Sequence, residues 1–119
     1  TGRRLDHTLA ALHALLRWRD KRVVLVGAED VAFLAPCAWS ATLEPGARVS
    51  FFPLAAVKGL ASEGLRWSVA GLDFAPGARV GTSNAADAAR VSARFDRPGM
   101  VALLERRFLV AALESLRTP

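Results

Sequence analysis

The sequence is short of the residues from which many functional sites are built. It has one cysteine, Cys37, so no internal disulfide framework can form and no Cys pair can hold zinc. Cys37 follows Pro36 with no histidine near it in sequence, which argues against a catalytic thiol. There is no P-loop and no Gly-x-Gly-x-x-Gly turn. Ser50 lacks the Gly-x-Ser-x-Gly elbow that would expose it as a nucleophile. No apolar run is long enough to span a bilayer, the best being residues 108–113. No stretch at the start reads as a signal peptide. With a single thiol, a reducing, cytoplasmic setting is the expectation. The first residue is Thr, so the chain reads as a processed or excised piece.

Long runs of one charge are also missing. The net charge is +5 and nearly all the cations are arginine, but they are spread along the chain. Arginine suits bidentate contact with phosphate or carboxylate. Without a basic run, nucleic acid is an unlikely partner. The hydrophobic share of 52% is high enough for a packed core over 119 residues.

The chain opens on helical texture. Leu5, Leu9, Leu12 and Leu16 recur at spacings of one helical face, among good helix formers. The pattern predicts a helix over residues 5–19. Residues 23–26, a short apolar run closed by Gly27, predict a buried strand of the parallel type. From there the texture changes. Short apolar or alternating runs are separated by Glu44-Pro45-Gly46, Lys58-Gly59, Ala75-Pro76-Gly77 and Arg97-Pro98-Gly99. Strands are predicted over 31–34, 38–43, 48–54, 64–70, 79–82, 90–95 and 100–104, with a closing helix over 108–116. Regular short strands with Pro-Gly turns argue for an antiparallel sandwich or barrel. The fold expected is therefore mainly β, an antiparallel β-sandwich of jelly-roll type, preceded by one helix and strand left from an α/β domain. The boundary is expected between residues 28 and 29.

Four segments could carry chemistry. In Gly2-Arg3-Arg4-Leu5-Asp6-His7, arginines and a glycine stand where a helix begins, a place suited to phosphate. Asp6 could orient a hydroxyl, hold a divalent cation or accept a proton, or serve only the helix dipole. His13 lies two turns on, roughly 10 Å by helix rise, too far to pair with it. Ser50-Phe51-Phe52-Pro53 reads as an inner strand ended by proline, with Ser50 a hydrogen-bonded core residue. In Gly64-Leu65-Arg66-Trp67-Ser68-Val69 the alternation puts Leu65, Trp67 and Val69 on one side. Trp67 is either core or a platform for a flat ring or a cation. Gly81-Thr82-Ser83-Asn84 is a turn, or a set of donors and acceptors for the edge of a heterocycle. Trp18 and Trp39 read as packing residues.

In order and spacing, these segments resemble the thiamine pyrophosphokinase family. Gly2–His7 is similar to that family's Gly-Gly-Arg-hydrophobe-Asp-His/Gln segment. Ser50-Phe51-Phe52-Pro53 is similar to Ser-hydrophobe-hydrophobe-Pro, residues 64–69 to Gly-Leu-Lys-aromatic-x-Leu, and residues 81–84 to Gly-x-Ser-Asn. Two positions depart: Arg3 replaces the second glycine, and Ala85 a glutamate common after Ser-Asn. The resemblance implies transfer of diphosphate from ATP to thiamine, with Mg²⁺, giving thiamine diphosphate and AMP. It implies an N-terminal α/β domain on the ATP side, represented here by residues 1–28. Residues 29–119 would be a C-terminal thiamine-binding sandwich, in a homodimer with sites between subunits. Asp6 would be the catalytic residue and a metal contact, Arg4 would lie on the phosphate side, and Trp67, Ser83 and Asn84 would bind thiamine. The segments that hold Mg²⁺ and ATP would lie upstream, leaving this chain inactive alone. Two other readings compete: a non-catalytic basic β-domain for nucleic acid, and a structural dimerisation module.

Overall fold

The structure is a computed structural model and describes residues 5–117. It begins with helix α1 (Leu5–Arg17), followed by nine strands, a single 3-10 turn and helix α2 (Leu109–Ser115). The strands are β1 (Leu25–Val26), β2 (Asp30–Leu34), β3 (Ala38–Thr42), β4 (Arg48–Pro53), β5 (Val57–Glu63), β6 (Asp73–Phe74), β7 (Gly81–Ala85), β8 (Arg90–Phe95) and β9 (Met100–Glu105). One sheet has the order β1-β2-β9-β4-β7 and the other β3-β8-β5-β6, with every pairing antiparallel. From β2 to β9 this is the eight-strand jelly-roll order, in which two interleaved Greek keys close the sandwich.

Alternation explains the core. Val31 and Phe33 on β2, Val49 and Phe51 on β4, and Leu104 on β9 point inward from the first sheet. Trp39, Ala41, Val91, Ala93 and Phe95 meet them from the second. The Phe51 ring is the hinge of an aromatic chain. It stands edge-on to Trp39 at 5.9 Å and to Phe95 at 5.5 Å, geometries that ring quadrupoles favour. Helix α2 packs on β3, β2 and β9 through the buried Ala112. Glu105 accepts the Arg48 N–H at 2.9 Å and so ties the end of β9 to the start of β4. That bond, aided by the nearby Arg107 and Arg48 charges, lowers the Glu105 carboxyl below its ordinary value.

Several elements differ from the sequence expectation. Strand β1 pairs antiparallel with β2 inside the sandwich, and Val26 is half exposed, so residues 23–26 do not form a buried parallel strand. Helix α1 ends at Arg17, and its leucine stripe is only partly covered: Leu12 and Leu16 are half buried, Leu5 is 83% and Leu9 66% exposed, and the buried leucine of the helix is Leu15, outside the stripe. Trp18 is exposed rather than packed, while Trp39 is core. Lys58-Gly59 is not a turn but lies inside β5. The expected strand at 79–82 is displaced to Gly81–Ala85.

The segment around Trp67 is the most informative difference. It alternates in sequence but joins neither sheet as a named strand, making only an isolated bridge from Leu65 to Ala86. Leu65, Trp67 and Val69 do not share one fate: Leu65 is half buried, Val69 is buried and Trp67 is 58% exposed.

Candidate functional site

The Trp67 segment is fastened to β7 by a ladder whose last rungs come from a side chain. Gly64 O accepts the Asp87 N–H at 2.7 Å, and the Arg66 N–H donates to Ala85 O at 2.8 Å. At Trp67 the Asn84 amide takes over. Its Oδ1 accepts the Trp67 N–H at 3.1 Å, and its Nδ2 donates to Trp67 O at 2.8 Å. Oδ1 also accepts the Ala85 N–H at 2.8 Å. A primary amide presents one donor and one acceptor group, so it can mimic a strand residue from the side. Asn84 is 8% exposed, and one N–H is all that its amide retains for a ligand.

Next to Asn84, β7 carries an extra residue. Val49 pairs with Asn84 and Phe51 with Gly81, so one residue of β4 faces two of β7. Ser83 absorbs the bulge at φ 64°, a left-handed conformation that costs a residue with a Cβ. Its N–H is satisfied by Ser50 Oγ at 2.9 Å, which gives the buried serine of β4 a structural task.

Between this segment and β7 lies a cleft of about 450 Å³. Phe51, Val69, Leu72 and Phe74 supply apolar lining, with Trp67, Thr82 and Asn84 beside them. Arg66 and Arg79 are its charged lining residues. The Arg66 guanidinium stands over the Trp67 ring, 5.6 Å from its centroid, and its Nε lies 3.2 Å from Asp87 Oδ1. The volume falls in the range of small-molecule sites, and apolar walls with a few convergent polar groups are their usual make-up.

The residues singled out from sequence are thus separated. Trp67 and Asn84 line the cleft. Ser83 is exposed on the same strand, next to Asn84 but not in the lining. Asp6 is in the first turn of α1, where its Oδ1 accepts the His7 N–H at 2.9 Å, and it does not line the cleft. Arg4 lies outside the described residues. Sequence reasoning missed Arg66, Arg79 and Phe51 as cleft residues. The double role of Arg66, beside an aromatic in sequence and near Asp87 in space, becomes legible only once 64–67 is known to track β7. A larger groove of about 850 Å³ runs along Leu15, Leu16, Ala35, Pro98 and Leu116. It contains none of the predicted site residues.

Magnesium finds little here. Among the described residues no three His, Cys, Asp or Glu side chains form a group that could hold a metal. Asp6 fits only as one contributor to the oxygen shell that the ion prefers.

Comparison with known proteins identifies the cleft-bearing region. Residues 41–99 match the thiamin pyrophosphokinase, vitamin B1 binding domain family. Through this stretch the chain belongs to the thiamin pyrophosphokinase family. The matched part of this thiamin pyrophosphokinase-family chain contains both Trp67 and Asn84. No curated protein sequence matches it. Among solved structures, it resembles thiamin pyrophosphokinase from Geobacillus thermodenitrificans with a TM-score of 0.73 at 19% identity, covering 88% of this chain and 50% of that one. The Bacillus subtilis enzyme gives 0.73 at 18%, covering 88% and 51%. The Candida albicans enzyme gives 0.76 at 16%, covering 87% and 41%. At such identities the likeness is one of fold. The chain spans about half the length of the first two structures and less of the third.

Proposed function

We propose that this chain supplies the thiamine side of a thiamine pyrophosphokinase, with thiamine held in the cleft against Trp67. The observation that carries this reading is the coincidence of two independent features. The family match over 41–99 spans the segment and strand whose clamp builds an apolar cleft with an exposed indole. Thiamine joins a flat aminopyrimidine to a cationic thiazolium, which suits a cleft with one aromatic wall and a few polar edges.

In the parent reaction, the thiamine hydroxyl attacks the β-phosphorus of ATP. The new O–P bond forms as the bond to the AMP oxygen breaks, the hydroxyl proton leaves to a base, and the products are thiamine diphosphate and AMP. Magnesium would supply charge neutralisation on the phosphates when bound. The task of this chain's own residues is to bind and orient: a fixed ring gives the hydroxyl a fixed direction, and much of such a barrier is entropic. Asp6 and Arg4 would face the phosphates, with α1 and the strand after it as the tail of an ATP-side domain and a second subunit completing the site. None of the described helices is long and apolar enough to cross a membrane, and the cytoplasm is the proposed location.

Thiamine titrated into the chain is expected to quench tryptophan fluorescence, and Trp67→Ala to weaken binding by about tenfold or more, the equivalent of about 1.4 kcal/mol of stacking. Because Trp67 is exposed, the same variant should keep its urea midpoint, within about 0.5 kcal/mol of stability. Unchanged affinity in Trp67→Ala would remove the indole from the site. With ATP, Mg²⁺ and thiamine supplied, the isolated chain is expected to release no AMP. Steady AMP release would overturn the assignment of this chain to one half of the machinery.

A further inference from the structure

The larger groove shares no lining residue with the Trp67 cleft. Most of its wall also lies outside residues 41–99, so the family match gives it no task. It forms where three parts of the fold meet: the end of α1 with the connection to β1, the β2–β3 corner, and the end of α2. Its floor is apolar. Leu16, Val23, Leu34 and Leu116 are each half buried, so part of each side chain stays open to the groove. Contiguous apolar surface left open on a folded chain marks a place for binding.

The hydroxyls of the lining are engaged by the fold. Ser115 Oγ donates to Ala112 O at 2.7 Å, and Ser40 Oγ accepts from Arg90 Nη2 at 3.0 Å. The charge of the groove is therefore at its rim, and that rim is cationic. Arg19, Lys21, Arg22 and Arg117 stand there against one carboxylate, Asp20. Arg19 Nη1 donates to Leu16 O at 2.9 Å and so serves the end of α1. Lys21 and Arg117 are exposed, and among the described residues no carboxylate forms an ion pair with either. Cations gathered beside an apolar surface repel one another, and a single anion among them relieves that repulsion. An ammonium and a guanidinium both form charge-assisted hydrogen bonds with a carboxylate.

We propose that this groove is a second ligand site, which takes an alkyl carboxylate: the chain lies on the floor formed by Leu16, Leu34 and Leu116, and the carboxylate meets Lys21 and Arg117. The occupant must combine both parts. A purely apolar molecule would leave the cations without a counter-charge, and a small inorganic anion would leave the floor wet. The volume lies within the range of small-molecule sites. The site is independent of the thiamine reading and stands or falls apart from it.

Calorimetric titration of the whole chain with decanoate, decanol and decyltrimethylammonium, each below micelle formation, tests the site. Decanoate should bind about tenfold tighter than decanol or more, and the ammonium more weakly than either. Lys21→Gln combined with Arg117→Gln should cost decanoate about tenfold and leave decanol within about twofold. Added salt should weaken decanoate for the same reason. Ala38 is exposed on β3 and lines the groove, so Ala38→Phe fills it and should weaken decanoate and decanol alike. An unchanged urea midpoint would show that this variant still folds. Equal affinity for the three probes overturns the proposal, because the groove would then select only for apolar surface. Decanoate binding that Ala38→Phe leaves intact, or that Trp67→Ala abolishes, also overturns it, since the ligand would sit elsewhere. Absence of measurable decanoate binding overturns it outright.

Discussion

Truncating Phe51 to alanine should cost about 3–5 kcal/mol of stability, the usual range for a large aromatic removed from a packed core. Phe51 has no solvent exposure, and its ring is the link between Trp39 and Phe95 across the two sheets. Its loss leaves Trp39, already buried with its indole Nε1 unpaired among the described residues, without its edge-on partner. Small domains hold only about 5–15 kcal/mol in total, so the variant should approach the edge of folding. Urea denaturation followed by far-UV circular dichroism measures the effect. Phe51 also lines the cleft, so thiamine affinity should fall in the fraction that remains folded. A loss under about 1 kcal/mol would mean that the sandwich interface is carried elsewhere.

The second large effect is expected from the smallest change. Gly59→Ala adds one methyl group in the middle of β5, where it would run into the carbonyl of Val69. The glycine is there because the strand and the 69–72 segment touch backbone to backbone. The Gly59 N–H donates to Leu72 O, and Gly59 O accepts from the Gly71 N–H, each at 2.8 Å. Neither partner can move without breaking these bonds, so the cost should be about 1–3 kcal/mol or more. The damage should be local. Val69 and Leu72 line the cleft, and the fluorescence of Trp67 and thiamine affinity should change before the Trp39 core does. Leu60→Ala, at a half-exposed neighbour on the same strand, is the control and should stay within about 0.5 kcal/mol. Equal effects of the two substitutions would refute the steric account.

The same glycine shows why part of the fold was illegible in sequence. Lys58-Gly59 reads as a turn because glycine most often marks one, whereas here it marks a close approach that only the tertiary structure reveals. The alternation at 64–69 carries the opposite ambiguity. Period-two patterning reports an extended backbone but not its partner, and an asparagine side chain can hold an extended segment as well as another strand can. The turn at Arg97-Pro98-Gly99, the inner place of β4 in its sheet and the alternation of β8 were legible because there local chemistry and tertiary pairing agree. Within the site, Trp67 was visible as an aromatic in an alternating run. Asn84 was visible as a polar residue, but its commitment to the Trp67 backbone was not. The leucine face of α1 was also legible, but its spacing predicts an apolar face and not what covers it.

The extra residue in β7 has a consequence for how this strand can change. In a ladder, side chains alternate in sidedness, so the insertion at Thr82-Ser83 resets the frame: Gly81 and Asn84 share the inner side, with two outward residues between them instead of one. Deletion of either would leave a single residue between Gly81 and Asn84, opposite Ser50, and the ladder would run without its bulge. Asn84 would stay on the inner side opposite Val49, within reach of the Trp67 backbone, whereas one more inserted residue would have to be looped out to keep that phase. The spare residue is therefore one that this strand can lose without changing which side chains face the core, and what it contributes is the left-handed step at Ser83.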